Sequence, residues 1–238
     1  MVTRTLALGP AFDHLTDDTE ETLVGSSFHQ DAIIGTYWSL LRYGRQRDLP
    51  WFVGNQLKLL APRGERQTYS PSPDVLVHPT LGTGPRASLS VAREGPPALI
   101  IEVLSPSIGL GNDLDPDGKV GAYASMGVAE YLTFDPIGEI IPEQVRAWRL
   151  DPEWRYVRWE PDEQWRWPSA LGVSFAPQGL RLRVFDEAGL LIPDVEALDE
   201  GFNELERALQ AERDRRTVQD REIARLLAEN ARLRGERS

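Results

Sequence analysis

Glu102 stands inside the apolar run Pro97-Ala98-Leu99-Ile100-Ile101-Glu102-Val103-Leu104, where an ionised carboxylate loses its hydration unless another group replaces it. The run has the length and composition of a buried strand. Whatever fold the chain adopts must therefore bring a cationic or hydrogen-bonding partner, or a metal, to that position. Upstream, Asp74 lies in the shorter run Pro73-Asp74-Val75-Leu76-Val77. Downstream, Lys119 follows the acidic turn Asn112-Asp113-Leu114-Asp115-Pro116-Asp117-Gly118. Each residue has a structural alternative: a core ion pair for Glu102, a strand start or turn for Asp74, an ordinary first-turn helical lysine for Lys119. Jointly, two carboxylates on core strands and one lysine suit metal-assisted hydrolysis.

With 238 residues, the chain can bury a sizeable core and fits one globular domain with an appendage. It has no cysteine, so disulfides and thiolate metal sites are excluded, and a reducing cytoplasm is the expected location. Any metal must be held by oxygen or imidazole. The opening stretch from Met1 to Pro10 is too short and interrupted for a secretory signal, and no segment approaches a membrane span. A net charge of −11 disfavours non-specific attraction to nucleic-acid phosphates. Total charge does not exclude a local cleft, and metal-binding carboxylates themselves add negative charge. Arg42-Tyr43-Gly44-Arg45-Gln46-Arg47 and Arg63-Gly64-Glu65-Arg66 are candidates for a basic rim or, more simply, solvated surface.

Three parts follow along the chain. Residues 1–22 form a polar, acidic arm around Asp17-Asp18-Thr19-Glu20-Glu21. Residues 23–193 form the globular domain. In it, Ser26 or Ser27 caps a helix from Phe28 to Tyr43, with an apolar stripe of Ile33, Ile34, Tyr37, Leu40 and Leu41. Strands are predicted at Trp51–Val53, Gln56–Leu60, Asp74–Val77 and Leu99–Val103, with a surface loop from Thr80 to Pro96. A second helix is predicted to open at Pro116 behind an Asp115 N-cap and to end at Gly127. The strand Ala129–Phe134 completes an α/β crossover. Beyond Gln144 the pattern is of hairpins, whose alternating aromatic and Arg residues suit strands with one wet face, or stacking on nucleic-acid bases.

Residues 194–238 are predicted to form a long helix. Phe202, Leu205, Leu209, Ile223, Leu226, Asn230 and Leu233 recur at spacings of three and four, a coiled-coil pattern that predicts a homo-oligomer, with Asn230 favouring a two-stranded register. Glu212, Arg216 and Gln219 fall on the same seam and weaken its middle.

The chemistry follows from the residue types. Hydrolysis of a phosphodiester needs a hard divalent cation to polarise the phosphate and lower the pKa of an attacking water. Mg²⁺ takes oxygen ligands and keeps several waters. Asp74 and Glu102, with the backbone carbonyl of Val103, are the candidate ligands; Mn²⁺ is the natural substitute. Lys119 is placed to orient the water and stabilise charge on phosphate, and Asp115, one helical turn earlier, to position that lysine. His29 is a further candidate for the metal or a phosphate, against the commoner helix-terminal histidine. The triplet Asp113, Asp115, Asp117 before Gly118 lacks the glutamate of a calcium loop, since residue 124 is Ala. Walker, Rossmann and nucleophile-elbow motifs are absent.

The ordered series Pro73-Asp74-Val75, Ile101-Glu102-Val103-Leu104-Ser105-Pro106-Ser107, Asp115-x-x-x-Lys119-x-x-x-Tyr123, Gly127-Val128-x-Glu130-Tyr131 and Asp135-Pro136 resembles the Uma-type putative restriction endonuclease family, a branch of the PD-(D/E)XK nucleases. The entry Ser26-Ser27-Phe28-His29 is similar too, and the likeness runs from Leu23 to Ile192. The resemblance implies an α/β fold with a restriction-endonuclease-like core, a mixed β-sheet flanked by helices, a Mg²⁺ site at Asp74 and Glu102, and DNA as substrate. One position departs from the superfamily pattern: two residues after Glu102 stands Leu104, not lysine, so the cation comes from the helix as Lys119. The alternative to an endonuclease is an inactive nuclease-fold module that binds nucleic acid or protein and oligomerises, most simply as a dimer, through its C-terminal helix.

Overall fold

A computed structural model describes residues 27–61, 70–105, 114, 118–195, 197–198, 201–216 and 219. The arm 1–22, Ser26, the Arg63–Arg66 segment, Asp115 with most of the acidic turn, and the tail positions Ile223, Leu226, Asn230 and Leu233 lie outside the described residues. The chain divides into two units, Met1–Asp194 and Val195–Ser238.

In the first unit, α1 (Ser27–Gln46) buries Ala32, Ile33, Leu40, Leu41 and Tyr43; of the stripe expected from its spacing, Ile33, Leu40 and Leu41 are buried, Tyr37 is half-buried and Ile34 faces solvent. Short strands follow: β1 (Phe52–Asn55), β2 (Lys58–Leu60), β3 (Val75–His78) and β4 (Ser88–Ser90). Next come α2 (Val91–Glu94), β5 (Leu99–Val103), α3 (Lys119–Met126), β6 (Glu130–Phe134), β7 (Val145–Leu150) and β8 (Tyr156–Arg158). The unit closes with β9 (Trp167–Pro168), β10 (Val173–Gln178) and β11 (Arg181–Asp186).

Six strands make the main sheet in the order β1-β3-β5-β6-β7-β8. Only β5 and β6 run parallel; the other neighbours are antiparallel. The fold is thus mixed α/β, and the parallel pair is joined through α3, the crossover its pattern predicted. Strand alternation sorts side chains between two cores. Leu99, Ile101 and Val103 face the core built with α1, β10 and β11, while Ile100, Leu76 and Tyr131 face the core that receives Val120, Tyr123 and Met126 of α3. Glu102 shares alternation with Ile100, and Asp74 with Leu76.

Two expectations are corrected. The stretch Thr80–Pro96 is not wholly loop, because β4 and α2 lie within it; β4 pairs in parallel with β2 in a separate two-stranded sheet. Such a short strand is held by a distant partner, not by its own periodicity. The second helix begins at Lys119, with Gly118 as its N-cap in a non-helical conformation, and not at Pro116. The helical-turn argument linking Asp115 to Lys119 therefore loses its basis. The C-terminal end matches expectation: Gly127 adopts φ 84°, and the N–H of Val128 reaches back to the Tyr123 carbonyl at 3.0 Å.

Some of the interleaved Trp and Arg residues on β7 and beyond pack on one another, while Trp154 and Trp165 stay exposed. Arg149 lies 4.4 Å from the centre of the Trp159 ring, and Arg158 lies 5.6 Å from that of Trp148. Both rings are buried, so the alternation serves packing at these positions. In the second unit, residues 201–216 are helical. Among the described residues no helix is long and apolar enough to cross a membrane.

Candidate active site

The site is set by strand register. β3 and β5 pair Val75 with Ile101, Leu76 with Ile100 and Val77 with Leu99. One step further along this register, Asp74 stands opposite Glu102, both on the α3 side of the sheet. Side chains of directly opposed residues are close neighbours. At this end of the ladder the carboxylates themselves take over the hydrogen bonding. The Asp74 amide donates to Glu102 Oε2 at 3.3 Å, and the Val103 amide donates to Asp74 Oδ2 at 2.8 Å. Each carboxylate is thus anchored by the backbone of the other's strand or its neighbour, which fixes their mutual placement.

The third component arrives from α3. Lys119 Nζ lies 3.3 Å from Glu102 Oε1, and the Tyr123 hydroxyl donates to that same oxygen at 2.6 Å. One helical turn separates the two residues, so they share a helix face. Glu102 is only 2% exposed, and these donors replace the water it has lost. Tyr123 is itself fully buried, with its ring set edge-on to Tyr131 at 5.0 Å between centroids. Tyr131 in turn stacks on Trp148. An aromatic row across the sheet therefore holds the hydroxyl in place.

Asp74, Glu102 and Lys119 come together as a group. Val103 joins them through its amide, which supports Asp74. Asp115 lies outside the described residues. His29 is buried in the first turn of α1, the helix on the opposite face of the sheet. Tyr123 is the component that reading the sequence for charge did not assign. Its signal was available: a tyrosine four residues after the lysine, on the apolar face of a helix that must cover the Glu102 strand.

Other buried carboxylates are structural. Asp135 accepts the amides of Ile137, Gly138, Ile140 and Ile141 at 2.6–3.2 Å, which closes the turn after β6. Glu130 bonds Arg149, Ser169 and the Ala170 amide. Asp194 holds Arg181 and Arg183 at 2.8 and 2.7 Å. None adjoins the Asp74–Glu102 pair in these contacts.

The donor set is compatible with a hard cation. Both carboxylates and the Val103 carbonyl offer oxygen only. Among the described residues no cluster of three or more His, Asp or Glu side chains forms a closed metal cage. Two carboxylates and a backbone carbonyl are oxygen donors of the kind that Mg²⁺ takes.

A mixed sheet that sets two carboxylates side by side beneath a helix-borne lysine has the layout of a nuclease-type α/β core. Residues 11–184 match the model of the Uma2 family, described as "Putative restriction endonuclease", and the chain belongs to that family. Among solved structures it is similar to "a putative nuclease belonging to DUF820 from Anabaena variabilis", with 18% identity over 72% of this chain and 75% of that chain and a TM-score of 0.37. No curated protein matches the chain.

Proposed function

We propose that the protein is a metal-dependent endonuclease that hydrolyses phosphodiester bonds of DNA at the Asp74–Glu102 site. The observation that carries this reading is the convergence, on one face of the sheet, of two opposed carboxylates and a lysine 3.3 Å from one of them. Asp74 and Glu102, with the Val103 carbonyl, would hold Mg²⁺ or Mn²⁺. When bound, the cation supplies Lewis acidity toward phosphate and acidifies a ligated water. The chain's own residues do the remaining work. Glu102 and Asp74 fix the carboxylate geometry, Tyr123 positions Glu102, and the Lys119 ammonium orients the attacking water and offsets negative charge accumulating on phosphate.

The test compares wild type with Glu102→Ala on supercoiled and linear DNA, with and without Mg²⁺ or Mn²⁺. Cation-dependent cleavage by wild type alone is expected. Equal cleavage by both proteins would assign the activity elsewhere.

A second reading is an inactive nuclease-fold module that binds nucleic acid or protein and oligomerises through its C-terminal helix. It is favoured by the closed bonding of Glu102, whose Oε1 already accepts both Tyr123 and Lys119. Cation binding measured by calorimetry without any cleavage would select it.

A further inference from the structure

We infer that the C-terminal unit binds a second copy of itself as an antiparallel two-helix coiled coil, with the two-fold axis beside Asp214. The inference does not depend on the active-site reading. Phe202, Leu205 and Leu209 lie on the described helix at spacings of three and four, and each is more than half exposed. Val195 and Leu198 precede them on the same spacing and are exposed as well. An apolar stripe of this width and regularity is a surface for a partner helix.

Charge identifies the partner and its direction. The same spacing puts Glu212 and then Arg216 on the seam, and both are exposed. In a parallel pair each would meet its own copy, giving one layer of two glutamates and one of two arginines. In an antiparallel pair centred on Asp214, Glu212 of each copy meets Arg216 of the other, and the two-fold axis makes the contact twice. The two charged layers are thus self-complementary only in the antiparallel direction, and this charge term sets the direction proposed. The sequence is balanced about the same point: Ile223 and Leu226 stand as far beyond Asp214 as Leu205 and Phe202 stand before it. Glu212 also lies 3.6 Å from Arg215 of its own helix, but such an exposed pair contributes little and leaves Glu212 available across the seam.

The full-length chain tests this directly. It contains no cysteine, so Glu204→Cys, off the seam, gives a single attachment point for a nitroxide. The expected result is a dimer by sedimentation, with labels separated by about 30 Å along the helix axis, from the rise of 1.5 Å per residue. Labels side by side, about one interhelical spacing of ~10 Å apart along with the label arms, would mean a parallel pair and overturn the proposal. A monomeric mass would overturn it too. Mixing wild type with the Glu212→Arg/Arg216→Glu double variant provides an independent check, because in an antiparallel pair each chain is complementary only to its own kind, whereas in a parallel pair it is complementary only to the other. Homodimers should outnumber heterodimers by about tenfold, and an excess of heterodimers would overturn the direction. A statistical mixture would remove the charge pairing and with it the reason for the direction.

Discussion

Removing the Tyr123 hydroxyl while keeping its ring isolates the bond that makes Glu102 tolerable in the core. In Tyr123→Phe the edge-on contact with Tyr131 is retained, no cavity forms, and only the 2.6 Å donation to Glu102 Oε1 is lost. Tyr123 is 0% exposed, so water cannot take the place of its hydroxyl without disrupting the packing around the ring. A hydrogen bond to a charged acceptor contributes about 1.5–3 kcal/mol, and Lys119 continues to serve the same oxygen. The expected loss is therefore about 2 kcal/mol. For a domain of this size that corresponds to a fall in Tm of roughly 4–8 °C. Urea unfolding followed by tryptophan fluorescence should show a lower midpoint with an unchanged slope. The decisive comparison is a double-mutant cycle with Glu102→Gln. Against a neutral acceptor the same substitution should cost only about 1 kcal/mol, leaving a coupling of about 1 kcal/mol. Equal losses in both backgrounds would show that the hydroxyl does not act through the Glu102 charge and would refute the reasoning.

Three further outcomes follow from other parts of the fold. Gly127→Ala should cost about 1–2 kcal/mol, since φ 84° is left-handed and the new Cβ would sit 3.0 Å from Trp154 Cζ3; a urea midpoint equal to wild type would contradict this. Asp135→Ala should cost about 3 kcal/mol or more because four amides lose their acceptor, with Asp135→Asn intermediate, as measured by thermal unfolding. Burial lowers the pKa of His78 from its ordinary 6.5. The unfolded chain then binds the proton more readily, so the stability contributed by the neutral imidazole is full above about pH 6.5 and declines as pH falls toward the folded value. His78→Gln should flatten the pH dependence of the urea midpoint in that window, and parallel profiles for the two proteins would count against it.

What could be read from the chain divides along physical lines. The strand Leu99–Val103 is legible because an apolar run between Pro and Ser has few other fates, and Glu102 is legible because it violates that run. Gly127 announces the end of α3, since a left-handed cap needs glycine. The start of α3 misleads: Asp115-Pro116 is a good helix entry locally, yet Gly118 is the cap. Neither β4 nor α2 carries a period long enough to detect, and β4 exists through its pairing with β2. The meeting of Asp74 with Glu102 depends on β3 and β5 being antiparallel neighbours in a given register, a long-range property that hydrophobic pattern alone leaves open. Tyr123 looks like one more aromatic on an apolar stripe until the fold shows what its hydroxyl meets.

The position two residues beyond Glu102 has a consequence for how such a protein can vary. Leu104 is 3% exposed and fills the interior where a nuclease of the common pattern would place its lysine. With the ammonium delivered from α3, the strand carries only the acidic half of the site and position 104 is released to packing. The two elements then answer to different constraints: apart from Glu102, substitutions along β5 are judged by how they fill space, while at Lys119 of α3 the test is whether the residue still presents charge to Glu102. A lysine placed at 104 would bring a second cation into space already filled by hydrocarbon.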